Sequence, residues 1–237
     1  MQNHLNEYLN AYWLRPETAL WRTIDVFTMS KVRFEGKSLD FGCGDGVFSF
    51  IRANGTFKKS FDVFYGAGQL DKFYENIDVY NYSLTNHIVT DKIPSYKISV
   101  GFDQKQALLD KAKKLNFYEK LILGDGNEKL PFDDNEFDTI FSNIVYWLDD
   151  FSFVLNELSR IIKPGGNIYL MLPDNNFFQS SYYYKYQLKD KIEGFEFLKF
   201  LDRGRVASNI KLSRASSEWR DEITKSGLKI VDHKMHL

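Results

Sequence analysis

The chain has 237 residues, with 31 lysines and arginines against 32 aspartates and glutamates and a net charge of −1. This balance excludes a protein that finds nucleic acid or an acidic membrane through bulk positive charge. One cysteine and four histidines leave no internal disulfide and no Cys/His cluster for zinc, so we predict no metal site.

The N-terminal thirty residues carry several charged side chains and lack the apolar run of a signal peptide. No later window approaches the roughly 18 uninterrupted apolar residues that a membrane span needs. We therefore expect a cytoplasmic protein with no membrane span.

Helical patterns alternate with short apolar runs along the chain. Apolar residues at spacings of three and four predict helix over 4–30, interrupted at Arg15-Pro16, within an N-terminal helical cap of residues 1–36. Five apolar runs predict buried strands: 37–42, 95–103, 120–125, 136–144 and 167–172. Helices are predicted from Asp45, over 104–115 and over 151–162, the last ended by a glycine C-cap at KPGG (163–166). This alternation predicts an α/β fold with a doubly wound, mostly parallel, Rossmann-like sheet.

Two connections are longer than this fold usually has. Residues 52–94 and 173–215 are predicted insertions in a domain that spans 37–237. The second contains an aromatic cluster at 177–200, for which a substrate lid and the packing of an inserted helix are both open explanations. A helix over 216–227 and a sixth strand over 228–237 are predicted to follow.

A glycine-rich turn follows the first predicted strand. Open α/β sheets bind ligands beyond the carboxyl ends of their strands, which is where this loop lies. Gly42, Gly44 and Gly46 permit tight turns and a close approach of a ligand to the main chain. The dinucleotide fingerprint needs a third glycine at position 47, where the chain has Val47. The spacing therefore disfavours a nicotinamide-dependent oxidoreductase and favours another adenosine ligand.

Acidic residues follow the next two predicted strands. Asp103 ends the second strand, where a carboxylate can accept hydrogen bonds from both ribose hydroxyls of an adenosine. Asp125, followed by Gly126, comes after the third strand and is placed to meet the adenine edge. Asp62 in the first insertion is an alternative ribose acid, but the VGFD pattern before an amphipathic helix favours Asp103.

Four stretches together resemble the class I S-adenosylmethionine-dependent methyltransferases, especially the small-molecule group often called type 11. They are LDFGCGDG (39–46), VGFDQKQALLDKAKK (100–114), LILGDGNEKLPFDDNEFDTIFSNIVYWLDD (121–150) and LNELSRIIKPGGNIYLMLP (155–173). They occur in the family's order and cover most of the sheet. The resemblance implies S-adenosylmethionine as cofactor, S-adenosylhomocysteine as product, and methyl transfer to a small molecule, such as a sugar or another biosynthetic intermediate.

The resemblance also implies a set of cofactor-binding residues. The glycine loop lines the methionine and ribose, an acid holds the ribose, and the turn after the third strand holds the adenine. The implied residues are Asp40, Gly42, Cys43, Gly44, Gly46, Asp103, Gln104, Asp125, Gly126 and Asn143. Within this set Cys43 is interpreted as a packing residue rather than a nucleophile, because no His/Asp pattern supports it.

The substrate side offers candidates but no obligatory catalytic residue. Tyr146 and Trp147, just beyond the fourth strand, can pack around the sulfonium or form the substrate wall. Arg15 and Arg22 are candidates for binding the cofactor's carboxylate or an anionic substrate. A base is needed only if the acceptor loses a proton, and His87 and Tyr146 are the candidates. An exposed loop histidine is the plainer interpretation of His87.

Two further points concern the partner and the extent of the chain. Nucleic-acid amino-methyltransferases carry an Asx/Ser-Pro-Pro-aromatic motif where this chain has SNIV (142–145), so we expect a small-molecule substrate and no nucleic acid. A noncatalytic binding module that keeps the fold stays open as an alternative. The family's sheet usually contains a seventh strand that this chain lacks, and we expect the chain to be a piece of a longer protein.

Overall fold

A five-stranded parallel sheet forms the centre of the fold in the computed structural model, which describes residues 2–13, 16–58, 61–63, 87–175 and 212–235. The described strands are β1 (Ser38–Phe41), β2 (Thr56–Phe57), β3 (Thr90–Lys92), β4 (Ile98–Asp103), β5 (Tyr118–Leu123), β6 (Phe137–Ser142) and β7 (Ile162–Leu170). The spatial order of the main sheet is β5-β4-β1-β6-β7, and every neighbouring pair is parallel. β2 and β3 form a separate antiparallel pair.

Helices cover both faces of this sheet. The described helices are α1 (Gln2–Ala11), α2 (Pro16–Thr28), α3 (Val47–Arg52), α4 (Gln106–Lys114), α5 (Phe151–Ile161) and α6 (Ser216–Lys225). Tyr8 of α1, Phe50 of α3 and Ala112 of α4 belong to the core on one face. Leu158 of α5 and Trp219 of α6 belong to the core on the other. The doubly wound, mostly parallel α/β fold is therefore confirmed, as is the N-terminal helical segment with its break before Pro16.

The alternation of side chains along β1 buries a carboxyl group between sheet and helix. Leu39 and Phe41 point into the core beneath α5. Because successive side chains of a strand point to opposite faces, Asp40 points the other way, towards Ser49 of α3. In the register of the sheet, Asp40 lies opposite Gly101 of β4.

The helix before β7 ends differently from the prediction. α5 ends at Ile161, and Ile162 already has an extended backbone with φ −77° and ψ 139°. Lys163 precedes Pro164, and a residue before proline disfavours helical dihedral angles, so the chain enters β7 at once. Gly165, at φ +83°, lies inside β7, where the register with β6 shifts. The KPGG segment is thus an irregularity within the strand rather than a glycine C-cap.

The predicted sixth strand is wrong over the residues that the structure describes. α6 forms where a helix was predicted, but residues 228–235 form no strand. A strand requires backbone hydrogen bonds to a neighbouring strand. A run of apolar residues does not supply that neighbour. Val231 is 79% exposed, and Lys234 Nζ donates a hydrogen bond to the carbonyl of Thr28 at 3.3 Å. This segment therefore reaches the end of α2. In the described residues the main sheet has five strands and neither a sixth nor a seventh.

Some predictions concern residues outside the described ranges. They include Arg15, the aromatic cluster at 177–200 and most of both insertions, so the domain and insertion boundaries stay predictions. Within the first insertion, the short pair β2–β3 was not predicted. No helix in the described part of the chain is both long enough and apolar enough to cross a membrane.

Candidate active site

The glycine loop after β1 is anchored to β4 by main-chain hydrogen bonds. The N–H groups of Gly42 and Cys43 both donate to the carbonyl of Phe102, at 2.8 and 3.0 Å. Gly42 has a φ of +79°, and a Cβ at this position would overlap Cγ1 of Ile144 after β6. Only glycine satisfies both requirements, so this turn holds β1, β4 and the β6 loop together.

Gly44 has a different environment from Gly42, because its Cα faces open space. Its φ is +57°, and a Cβ built there would meet no atom nearer than Leu108 Cδ1 at 4.0 Å. Its N–H points into the protein and donates to Asp103 Oδ2 at 2.9 Å. One side of Gly44 therefore exposes the main chain, and the other side is fixed by a hydrogen bond. A site that binds a ligand against the backbone requires both.

Asp103 ties this loop to the end of β4. Its Oδ2 accepts from Gly44, and its Oδ1 accepts from the N–H of Lys105 at 2.9 Å. The residue is 9% exposed, and burial raises the pKa of its carboxyl, which the main-chain hydrogen bonds oppose. The main-chain N–H of Gln104 also acts on this carboxylate. A carboxylate has about four lone-pair sites, so Asp103 keeps acceptor capacity for a hydroxyl donor.

Asp40 is more deeply buried than Asp103 and lies under the same loop. Its Oδ2 accepts from the hydroxyl of Ser49 at 2.6 Å and from the hydroxyl of Tyr118 at 2.8 Å. Burial raises the pKa of this carboxyl to about 6, although both hydrogen bonds act to lower it. Near neutral pH the loop therefore has a desolvated negative charge beneath it.

Ionisation of Asp40 has a predicted cost in stability. The pKa is about 6 in the folded chain and about 4 in the unfolded chain, so the folded state binds more protons between these values. Unfolding free energy from this group therefore falls as pH rises from about 4 to 6, by about 3 kcal/mol. We expect Asp40→Asn to raise the unfolding free energy at pH 7.5 by about 2 kcal/mol.

Urea denaturation of wild type and Asp40→Asn at pH 4.5, 6.0 and 7.5 measures this difference. We expect the advantage of the variant to grow with pH. The exposed residue Asp149 supplies a control, because Asp149→Asn is expected to differ little from wild type at every pH. An Asp40→Asn advantage that stays constant with pH would contradict the assignment.

The turn after β5 lies at the same carboxyl edge of the sheet. Asp125 is exposed, and its Oδ1 accepts from the main-chain N–H of Asn127 at 2.9 Å and from its side chain at 3.0 Å. Gly126 is buried, and a Cβ there would lie 2.9 Å from the ring of Phe41. Gln104, next to Asp103, is exposed. The predicted adenine-side residues thus lie at the edge that carries the glycine loop.

The loop after β6 also lies at this carboxyl edge of the sheet. Ser142 ends β6, and its hydroxyl donates to the carbonyl of Phe41 at 2.7 Å, which fixes this strand end against β1. Asn143 is half-buried, and a 3₁₀ turn over Val145–Trp147 follows. Within that turn the rings of Tyr146 and Trp147 lie 5.5 Å apart and are both half-buried.

Arg22 reaches this region from the cap helix α2. Its guanidinium carbon lies 4.9 Å from the centroid of the Phe48 ring, and Nη1 lies 3.5 Å from Asp25 Oδ2. Its charge interacts with Asp45 in the glycine loop and with Tyr146. The buried Nε has no hydrogen-bond partner among the described residues. A guanidinium with this much free donor capacity is suited to bind an anion.

Cys43, interpreted above as a packing residue, and His87, a candidate base, have different surroundings. Burial and the nearby carboxylates of Asp40 and Asp103 raise the pKa of the Cys43 thiol well above its usual range, so the thiol stays protonated and is a poor nucleophile. His87 stacks on Phe61 with ring centroids 5.9 Å apart. Burial, with the charge of Lys111, lowers the pKa of His87. Its role as a base stays a prediction.

Tyr118 and Ser49 were not among the predicted site residues. Each donates to Asp40, yet Tyr118 is 78 residues away in sequence and on a strand that does not pair with β1. The available signal was Gly101, a glycine inside an otherwise apolar strand pattern. Such a glycine indicates the close approach of another group.

Comparison with known proteins finds a family model that matches part of the chain. The model of a family described as "Methyltransferase domain" matches residues 84–170, which contain Asp103 and Asp125 but not the glycine loop. Over these residues the chain is similar to a methyltransferase domain. Over 70 residues it is 39% identical to malonyl-[acyl-carrier protein] O-methyltransferase 1 of Coxiella burnetii. The 70 aligned residues are 29% of this chain and 23% of the relative, so the chain spans less than a quarter of the relative's length.

Solved structures support the methyltransferase fold. An S-adenosylmethionine-dependent methyltransferase from Thermotoga maritima matches with a TM-score of 0.51 and 17% identity, over 94% of this chain and 80% of that one. A chain from a complex of a methyltransferase with the Trm112 methyltransferase activator of Haloferax volcanii matches with a TM-score of 0.50 and 17% identity. The match covers 90% of this chain and 70% of that one.

Proposed function

We propose that the chain binds S-adenosylmethionine across the glycine loop and transfers its methyl group to a small molecule. The observation that carries this proposal is the pair formed by Gly44 and Asp103. Gly44 presents open main chain to a ligand, and the carboxylate of Asp103 holds the inner side of that same residue. The single cysteine, which excludes an internal disulfide, supports a cytoplasmic location.

The described residues fit an adenosyl ligand. Asp103 keeps acceptor capacity beyond its main-chain hydrogen bonds, which suits a ribose hydroxyl. The exposed Asp125 beside the buried Gly126 suits the adenine edge, which needs a polar contact next to an apolar surface. Asp40 places a buried negative charge under the loop, which favours a cationic ligand.

The bound cofactor supplies a methyl group on a cationic sulfonium, and the chain supplies positioning and exclusion of water. Asn143 follows β6 and Tyr146 lies in the next turn, so we assign both to the side where the acceptor enters. The ring of Tyr146, with that of Trp147, offers an aromatic wall to a sulfonium or an acceptor.

Arg22 is our candidate for binding a carboxylate. Its guanidinium lies against Phe48, its charge interacts with both Asp45 and Tyr146, and its Nε is unpartnered among the described residues. The carboxylate belongs either to the methionine part of the cofactor or to the acceptor. The Coxiella burnetii relative is a malonyl-[acyl-carrier protein] O-methyltransferase, which supports an acceptor of this chemistry.

Calorimetric titration with S-adenosylhomocysteine tests the cofactor site, and release of S-adenosylhomocysteine from S-adenosylmethionine with a panel of carboxylates and sugars tests turnover. We expect micromolar binding and turnover with at least one acceptor. Binding without turnover on any acceptor favours the noncatalytic module. Binding of NAD instead of S-adenosylhomocysteine would overturn the proposal.

The variant Arg22→Met distinguishes the two carboxylates. If Arg22 binds the cofactor, the variant weakens S-adenosylhomocysteine about tenfold and leaves 5′-methylthioadenosine, which lacks the carboxylate, unchanged. If it binds the acceptor, both adenosyl ligands keep their affinity and KM for the acceptor rises. Arg33→Met is a control, because Arg33 donates to main-chain carbonyls at an exposed position.

A further inference from the structure

Tyr118 crosses one strand of the sheet to reach another. It begins β5, the edge strand, and β4 lies between β5 and β1. Its hydroxyl nevertheless donates to Asp40 Oδ2 on β1 at 2.8 Å. The side chain is 7% exposed, so this hydrogen bond is made away from solvent.

Two glycines leave the room that the tyrosine ring occupies. At Gly101, opposite Asp40 on β4, a Cβ would lie 2.9 Å from Tyr118 Cδ1 and 3.0 Å from Cys43 Sγ. At Gly46, the last glycine of the loop, a Cβ would lie 2.8 Å from Tyr118 Cε2. The ring therefore packs against the glycine loop as well as over β4.

Groups on several helices and strands act on the carboxylate of Asp40. Ser49 on α3 and Tyr118 on β5 both donate to the same oxygen. Arg52, at the end of α3, acts on it with positive charge, and Asp103 on β4 acts with negative charge. The Cys43 thiol in the loop is protonated and adds no charge. The two hydroxyls are thus the groups that stabilise the ionised form by direct contact.

We propose that Tyr118 is a positioning residue that fixes the carboxylate of Asp40 under the glycine loop and thereby sets a preference for the cationic cofactor over its product, whose sulfur is uncharged. The proposal rests on the proposed function, since the preference is measured on S-adenosylmethionine and S-adenosylhomocysteine. A tyrosine that only filled space would support both ligands equally. One that governs the charge of Asp40 acts more strongly on the ligand with the additional positive charge.

The test compares Tyr118→Phe with wild type by calorimetric titration of both ligands at pH 5.5, 6.5 and 7.5. In wild type, we expect the ratio of the two affinities to fall as pH drops through about 6, because Asp40 becomes protonated. In Tyr118→Phe, the same fall begins at higher pH, because loss of a hydrogen bond to the carboxylate raises its pKa. At pH 7.5, we expect the variant to lower S-adenosylmethionine affinity about fivefold and S-adenosylhomocysteine affinity less than twofold.

Two further variants make the test specific. Tyr8→Phe removes an equally buried hydroxyl, which donates to the carbonyl of Phe48 at 2.9 Å, and we expect it to keep the wild-type affinity ratio. Ser49→Ala removes the other donor to Asp40 and is expected to shift the ratio in the same direction as Tyr118→Phe, which covers the case that the tyrosine variant does not fold. A wild-type ratio at every pH in Tyr118→Phe, or in Ser49→Ala if the first does not fold, would overturn the proposal while leaving the proposed function intact. Failure of wild type to bind either ligand would overturn both.

Discussion

Replacing Asp103 with alanine is expected to lower the affinity for S-adenosylhomocysteine at least a hundredfold. The variant loses the acceptor that we propose for the ribose, and hydrogen bonds to a charged group contribute about 1.5–3 kcal/mol each. It also leaves the N–H groups of Gly44 and Lys105 without their acceptor, so the loop that faces the ligand is released as well. Both effects act in the same direction, and calorimetric titration measures their sum.

The matched control is Asp110→Ala on α4, the helix that follows Asp103. Asp110 accepts a hydrogen bond from Gln106 at 2.8 Å on the exposed side of the helix. We expect this variant to bind within twofold of wild type. Equal affinities of Asp103→Ala and Asp110→Ala would remove Asp103 from the site and restore the alternative that the ribose acid is Asp62.

Alanine substitutions at Gly42 and Gly44 are expected to separate stability from binding. At Gly42 the new Cβ overlaps Ile144 at a left-handed backbone position, so we expect unfolding free energy to fall by about 3 kcal/mol or more. At Gly44 the nearest atom to the new Cβ is Leu108 Cδ1 at 4.0 Å, which is no overlap, so only the backbone cost of about 1 kcal/mol applies. The Gly44 Cβ instead occupies the space where the ligand approaches, and we expect affinity for S-adenosylhomocysteine to fall at least tenfold.

Gly165→Ala provides the reference for the backbone cost. Gly165 has a φ of +83° and nothing within 4 Å of its Cβ position, and it lies within β7, away from the glycine loop. In urea denaturation, Gly165→Ala and Gly44→Ala should lose similar amounts of unfolding free energy. In calorimetric titration with S-adenosylhomocysteine, only Gly44→Ala should lose affinity. Wild-type affinity in Gly44→Ala would show that no ligand lies against this main chain.

The sheet and the glycine loop were predictable because local patterns encode them. A short and largely apolar run such as residues 98–103 is typical of a buried parallel strand, and a glycine-rich segment after such a run indicates a turn at the carboxyl edge. The position of Asp103 at the end of that run placed it at the same edge as Gly44, and the hydrogen bond between them agrees.

The other features depend on contacts between distant residues. Tyr118 lies outside the strand predicted over 120–125, and its partner Asp40 follows only from the strand order and the space at Gly101. β2 and β3 have two and three residues, too short for any period to be visible. Residues 228–231 contain three apolar residues in a short run, but an apolar run does not provide a neighbour to pair with.

The burial of Asp40 sets two selective pressures against each other at one position. A screen for heat resistance at neutral pH favours replacement of this carboxylate, because the desolvated charge weakens the folded state. Under the proposed function, the same replacement removes a charge that favours the cationic cofactor. Stabilised variants from such a screen should therefore be enriched in substitutions at position 40 that have lost cofactor affinity, and selection for activity should restore aspartate.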